Sequence, residues 1–261
     1  WVLKELNKQN KARIQELGFL RPMEILSSDT QASLSDAVVI FGGGCTGISV
    51  SEQGLLFTNH HCGYSAIQQL SSVEHDYLKN GFVAQNQAEE LPVPGLTVRY
   101  LRETVDVSER LNSQLAQIED EYTRLMTADS LGQALCDSVE TNAFVQAEVL
   151  PFYNYNKYYL LVYDVFRDVR MAFAPPSSMG KFGGDTDNWM WPRHTCDFSV
   201  FRVYANAENK PAEYAADNKP YHPRYVAEVS LQGYAEGDYA MTMGYPGSTE
   251  RYLCSWGVRQ M

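Results

Sequence analysis

The sequence predicts a mainly β chain, an antiparallel barrel or sandwich with peripheral helices, and three observations carry that prediction. Short runs of β-branched and aromatic residues alternate with turns that hold Gly and Pro. Helical periodicity is confined to a lead segment and to a stretch at about 108–141. The 261 residues, 44% apolar and 12% aromatic, are enough to build a substantial core in one large domain or two small ones.

In chain order, Leu3, Leu6, Ile14 and Leu17 fall on one helical face, and Gly18 followed by Pro22 stops that lead helix. The pattern then turns to β at 38–41 and 47–51, with a Glu52-Gln53-Gly54 turn leading into 55–58. A strand end thus presents His60 and His61, and 64–70 reads as a helical turn. Two alternating runs, 96–101 and 103–107, predict two more strands. Ser108 is a plausible N-cap for a helix carrying Leu111, Leu115, Ile118, Tyr122 and Leu125, followed by a second helix near 131–141. Strands return at 158–165, 169–173 and 198–204. The polar segment 205–223 is a surface excursion, and 226–229 and 238–243 are expected to be the last strands before the Gly244-Tyr245-Pro246-Gly247 turn.

A net charge of -11 argues against a nucleic-acid or anionic-membrane surface, which needs clustered Lys and Arg. No run of about 18 apolar residues predicts a membrane span. No signal peptide opens the chain and Trp1 is not an initiator methionine, so a mature or trimmed form is expected. The five cysteines, Cys45, Cys62, Cys136, Cys196 and Cys254, lack C-x-x-C spacing, which favours disulfides and hence export over a structural zinc site. Because five is odd, one thiol is left over, and Cys136 in its helical segment is the expected one.

The segment Asn59-His60-His61-Cys62, whose cysteine stands seventeen residues after Cys45, is the strongest chemical signal. A histidine beside a cysteine that can be tied to a second cysteine on a neighbouring strand is held in place, as a general base must be. The competing structural interpretation is a buried His pair that only satisfies local hydrogen bonds. Other motifs fail on chemistry. Gly42-Gly43-Gly44 has no Gly-Lys-Ser/Thr after it to meet a phosphate, and Asp185-Thr186-Asp187 leads to Cys196 where a calcium loop needs glutamate. Adjacent His residues on an extended strand point to opposite faces, which disfavours zinc, and no metal or cofactor is expected.

Four blocks, 41–47, 58–64, 183–195 with Asp197-Phe198, and 244–247, resemble the bacterial dipeptidyl-peptidase 7 and 11 family of serine exopeptidases. The run Asn188-Trp189-Met190-Trp191-Pro192-Arg193-His194 is the most specific of them, and the likeness runs from the lead helix to the last residue. The resemblance implies a chymotrypsin-like double β-barrel interrupted by a helical domain. It also implies a periplasmic or cell-surface homodimer that removes dipeptides from peptides with a free N-terminus. Carried over by motif, His61 is the general base, Asp197 orients it, and Asn188 and Trp189 receive the substrate's α-ammonium. Residues 1–254 would be the N-terminal half of the catalytic domain, with a helical excursion at about 108–141, and 255–261 would begin the connection to the helical domain.

No Gly-Asn-Ser-Gly segment is present, so the nucleophile is expected outside these residues and the fragment alone is expected to be nearly inert. The acidic or apolar preference at the penultimate substrate residue is not legible. The family usually has glycine where Cys196 stands, and Cys254 is also unusual, which suggests a Cys196–Cys254 bridge beside the expected Cys45–Cys62 bridge. The contrasting function classes are a non-catalytic binding or surface-assembly β-barrel domain and a metal-dependent hydrolase with free thiolates at Cys45 and Cys62.

Overall fold

The computed structural model describes residues 3, 5–6, 10–183, 190, 194–247 and 253–261. Its strands are β1 (Val38–Phe41), β2 (Cys45–Ser49), β3 (Leu55–Thr58), β4 (Phe82–Val83), β5 (Leu91–Pro92), β6 (Val98–Asp106), β7 (Val145–Phe152), β8 (Lys157–Phe166), β9 (Asp168–Ala174), β10 (Ser199–Ala205) and β11 (Lys219–Pro220). The helices are α1 (Lys11–Glu16), α2 (His60–Leu70), α3 (Tyr77–Asn80), α4 (Ser108–Leu115), α5 (Glu121–Val139), α6 (Ser177–Gly180) and α7 (Ser255–Gln260).

The described strands form one sheet in the order β4-β9-β10-β3-β2-β1-β6-β8-β7, with β11 beside β10 and β5 beside β9, and every pairing is antiparallel. The mainly β expectation holds. The closed barrel does not, because β4 and β7 end the ladder without pairing to each other. β4 has two residues, too few to carry the ladder further. At the other end α5 packs on the face of β7, where a Cβ on Gly132 would sit 3.3 Å from Val149.

The main core gathers Val39, Phe41, Leu56, Ile67, Val98, Phe166, Met171, Phe201 and Val203 from both halves of the sheet. A second cluster lies under α4 and α5, where Leu111, Leu115, Leu135 and Cys136 meet Leu160 and Val162 of β8. The helical excursion is therefore a layer on β7 and β8. Its break falls earlier than the periodicity suggests: α4 stops at Leu115 and α5 starts at Glu121, because the Asp120 carboxylate accepts the Thr123 N–H at 2.8 Å and caps a new helix. Similarly, the two runs expected around 96–107 are one strand with a bulge between Leu101 and Glu103.

The lead helix ends where predicted. Gly18 takes φ +103, and the Phe19 N–H reaches the Ile14 carbonyl at 3.2 Å in a glycine-terminated cap. Leu6 and Ile14 are buried there, whereas Leu17 is exposed. The expected strands at 226–229 and 238–243 are irregular. The first is tied to β2 by the Ala227 N–H to Ser49 carbonyl bond, and the second is held by side chains, Tyr239 lying 5.2 Å from Phe19 and Met243 joining the lead-helix cluster.

Candidate active site

Antiparallel register creates the site. Thr58, the last residue of β3, lies opposite Ser199, the first of β10, so the residues leaving one strand meet those entering the other. This brings His61 and Asp197 together across 136 positions of sequence. Contrary to the strand-end expectation, His60 and His61 open α2, with Asn59 as an extended N-cap at φ -68 and ψ 149. The first N–H groups of a helix lack internal acceptors and carry positive partial charge. Asp197 meets both needs: Oδ1 accepts the His61 backbone N–H at 3.0 Å, and Oδ2 accepts Nδ1 of the same residue at 2.7 Å.

A carboxylate only accepts hydrogen bonds, so Nδ1 is the donor, and whenever the ring holds a single proton Nε2 is left as an acceptor. The His61 side chain is 69% exposed against 26% for Asp197, so a group arriving from outside can reach the ring. Among the described residues no hydroxyl or thiol is hydrogen-bonded to His61. The arrangement orients a base and does not itself hold a nucleophile.

Three contacts fix α2 under this pair. The Cys45–Cys62 disulfide, Cα–Cα 6.1 Å, ties its first turn to β2. It closes a loop of 17 positions, for which chain entropy gives about 3 kcal/mol. Cys62 is in the helix, not on the expected strand. Gly63 allows the helix to press on β10: a Cβ there would stand 2.6 Å from Ser199 Oγ and 3.1 Å from the Phe201 ring. On the other side Gly180 of α6 covers His60, where a Cβ would come 2.6 Å from the imidazole.

His60 is buried, its Nε2 has no hydrogen-bond partner, and its ring meets Tyr64 edge-on. Burial lowers its pKa below 6.5, Asp197 pulls it back up, and the neighbouring His61 pushes it down again. A histidine held neutral in this way costs stability as pH falls through its ordinary value, since the unfolded state then binds the proton more readily. This is the packed, structural histidine of the pair, separated from His61 by a helical turn of direction and not by strand alternation.

The further sequence expectations divide. Asn188 and Trp189 lie outside the described residues. The Cys196–Cys254 bridge is not formed: both thiols are free, as is the buried Cys136. Their elements hold them separately. The Cys196 N–H is bonded to the Met179 carbonyl of α6, whereas Cys254 is the exposed N-cap of α7. The Gly244-Tyr245 turn docks on β2, where Thr46 Oγ1 accepts the Tyr245 N–H at 2.8 Å, and a Cβ on Gly244 would lie 2.6 Å from that oxygen. Sequence reasoning passed over Asn59 as a site residue, although its Nδ2 lies 3.3 Å from Asp197 Oδ2.

An imidazole oriented by a carboxylate through Nδ1, on an antiparallel β scaffold, has the geometry that the base half of a hydrolase triad requires. The Peptidase S46 family model matches residues 1–261. The chain belongs to the peptidase S46 family. It is 61% identical over 258 residues to a dipeptidyl-peptidase 7 of Porphyromonas gingivalis, covering 99% of this chain and 36% of that protein. It is 46% identical over 258 residues to an Asp/Glu-specific dipeptidyl-peptidase of Porphyromonas endodontalis, covering 97% and 36%. The crystal structure of Porphyromonas endodontalis DPP11 in complex with substrate superimposes with a TM-score of 0.90 at 45% identity, covering 100% of this chain and 39% of that one. The chain thus spans 36% of the length of these two relatives.

Proposed function

We propose that these residues form the base-bearing part of an exported serine-type dipeptidyl-peptidase that releases dipeptides from free peptide N-termini. The observation that carries the reading is the double engagement of Asp197, on the His61 imidazole and on the helix amide beneath it. The names of the relatives point to the reaction, and the Cys45–Cys62 disulfide suits an oxidising compartment such as the periplasm or cell surface. The sheet, open among the described residues, would take the place of the first barrel in a chymotrypsin-like pair. A second barrel outside these residues would bring the serine and the oxyanion hole, and the whole protein would be a homodimer.

In this mechanism the serine oxygen attacks the carbonyl carbon of the second peptide bond while His61 Nε2 takes its proton. The imidazolium, bonded to Asp197, then gives that proton to the leaving amine, and water resolves the acyl-enzyme by the same base. Asn188 and Trp189 would receive the substrate's α-ammonium. A non-catalytic binding domain would have no use for a base oriented and left open in this way.

In the full-length protein His61→Ala should abolish turnover of dipeptidyl substrates, while His60→Ala should act mainly through folding. Steady-state kinetics beside thermal unfolding separate the two, and activity retained in the His61 variant would reject the reading. For the amino-terminal clamp, Asn188→Ala should weaken kcat/KM on free substrates by about 1–3 kcal/mol, one hydrogen bond to a charged group. N-acetylated peptides should be poor substrates of the wild type; equal cleavage of blocked and free peptides would remove Asn188 and Trp189 from that role.

A further inference from the structure

Asn59 occupies the N-cap of α2 and yet makes no capping bond with its side chain. Its Nδ2 points across to the neighbouring segment, donating to the Asp197 carbonyl at 3.2 Å and to Asp197 Oδ2 at 3.3 Å. Both partners are acceptors, so the amide nitrogen has to face them, and the side-chain oxygen is turned from the position in which an Asn N-cap normally serves its helix. The cap is supplied from outside, by Asp197 Oδ1 on the His61 N–H. Three donors from two residues thus close on one carboxylate: Asn59 Nδ2, His61 N–H and His61 Nδ1. The Asn59 backbone is itself fixed, because its carbonyl accepts both the Gly63 N–H at 3.1 Å and the hydroxyl of the buried Ser199 at 3.2 Å.

We propose that Asn59 is a positioning residue of the His61–Asp197 pair, holding the carboxylate on Nδ1 by its side-chain amide and the strand entry that carries Asp197 by the same nitrogen. This rests on the reading of His61 as base and Asp197 as its orienter. One bond to Nδ1 and one to the helix amide leave Oδ2 with the imidazole alone. The Asn59 amide adds a neutral donor on that oxygen, which supports the charge of Asp197 without competing for the proton. The exchange of roles at the helix end, in which the orienter caps and the cap residue orients, is the signature of this arrangement.

The test uses Asn59→Ser and Asn59→Asp in the full-length protein, since Ser and Asp cap helices as well as Asn does and a structural role would survive both changes. Positioning predicts a fall in kcat of about tenfold or more in each at little change in KM, the scale of one hydrogen bond to a charged group. Asn59→Asp has a second signature. A new negative charge beside the pair favours the imidazolium, so the acid limb of the kcat/KM profile should move to higher pH, and Asn59→Ser should not reproduce that shift. Thermal unfolding accompanies each measurement. Wild-type kcat and pH profile in both variants, with His61→Ala inactive, would overturn the role of Asn59 alone. A kcat loss matched in both by loss of folded protein would overturn it equally. Activity in His61→Ala would instead defeat the reading underneath, and this inference with it.

Discussion

Asp197→Asn in the full-length protein is expected to lower kcat by about four orders of magnitude with little change in KM, the scale seen when a triad carboxylate is exchanged for its amide. The cause can be followed atom by atom. Oδ1 must accept the His61 backbone N–H, and Oδ2 must accept from His61 Nδ1 and Asn59 Nδ2. An amide has a single oxygen. If it stays on the helix N–H, the new NH2 faces Nδ1 and forces the ring proton onto Nε2, where the base is lost. If it turns to Nδ1, the NH2 confronts the helix N–H and leaves that donor unmet in the first turn. Single-turnover kinetics measure the loss, and ring nitrogen chemical shifts report the tautomer. A kcat within tenfold of wild type would mean that Asp197 does not orient the base.

Much of this site was legible because its residues sit where short-range patterns change. The strand 55–58 ends in a polar block, and the reading that put His61 and Asp197 in one pair needed the family motif, since nothing local links positions 136 apart. What failed was the assignment of secondary structure at the junction. His60, His61 and Cys62 were expected on a strand because Leu55–Thr58 runs straight into them; helix α2 begins there because Asp197, from distant sequence, supplies the cap. That cap is tertiary and has no local sign. β7 was passed over for a related reason. Its return turn uses Tyr153, Asn154 and Tyr155 at φ between 52 and 63, without the glycine that marks such a turn, and its inward residues face α5 and not the main core. The absent Cys196–Cys254 bridge shows the limit of pairing cysteines by rarity, since the two lie on elements with separate anchors.

On β10, the strand that follows Asp197, sits a buried ionic cluster, and breaking it should produce the largest change in stability. Glu90 and Arg202 side chains are only 3% and 10% exposed. Glu90 Oε1 accepts from Arg202 Nε at 2.8 Å, Oε2 accepts the Tyr204 hydroxyl at 2.8 Å, and the Arg202 guanidinium also donates to the Gln53 carbonyl. Burial raises the Tyr204 phenol pKa, and Glu90 raises it further. Arg170 lies 3.7 Å above the Tyr204 ring and is paired with the buried Asp168. Glu90→Ala would leave a buried guanidinium with a single carbonyl and a phenol with no acceptor, a change that costs about 3–5 kcal/mol. Glu90→Gln keeps the shape and one accepting oxygen for Arg202, with its NH2 left facing the Tyr204 hydroxyl oxygen, and should cost less than Glu90→Ala. Replacing Glu90 and Arg202 together by Met and Leu removes the stranded charge, so the double variant should recover much of the loss, which a urea-unfolding double-mutant cycle measures. Equal destabilisation in the single and double variants would mean that shape, not charge compensation, is what the cluster supplies to β10. Because Arg202 sits in β10, the strand that Asp197 leads into five positions earlier, the Glu90→Ala protein should also lose activity on warming before the wild type does.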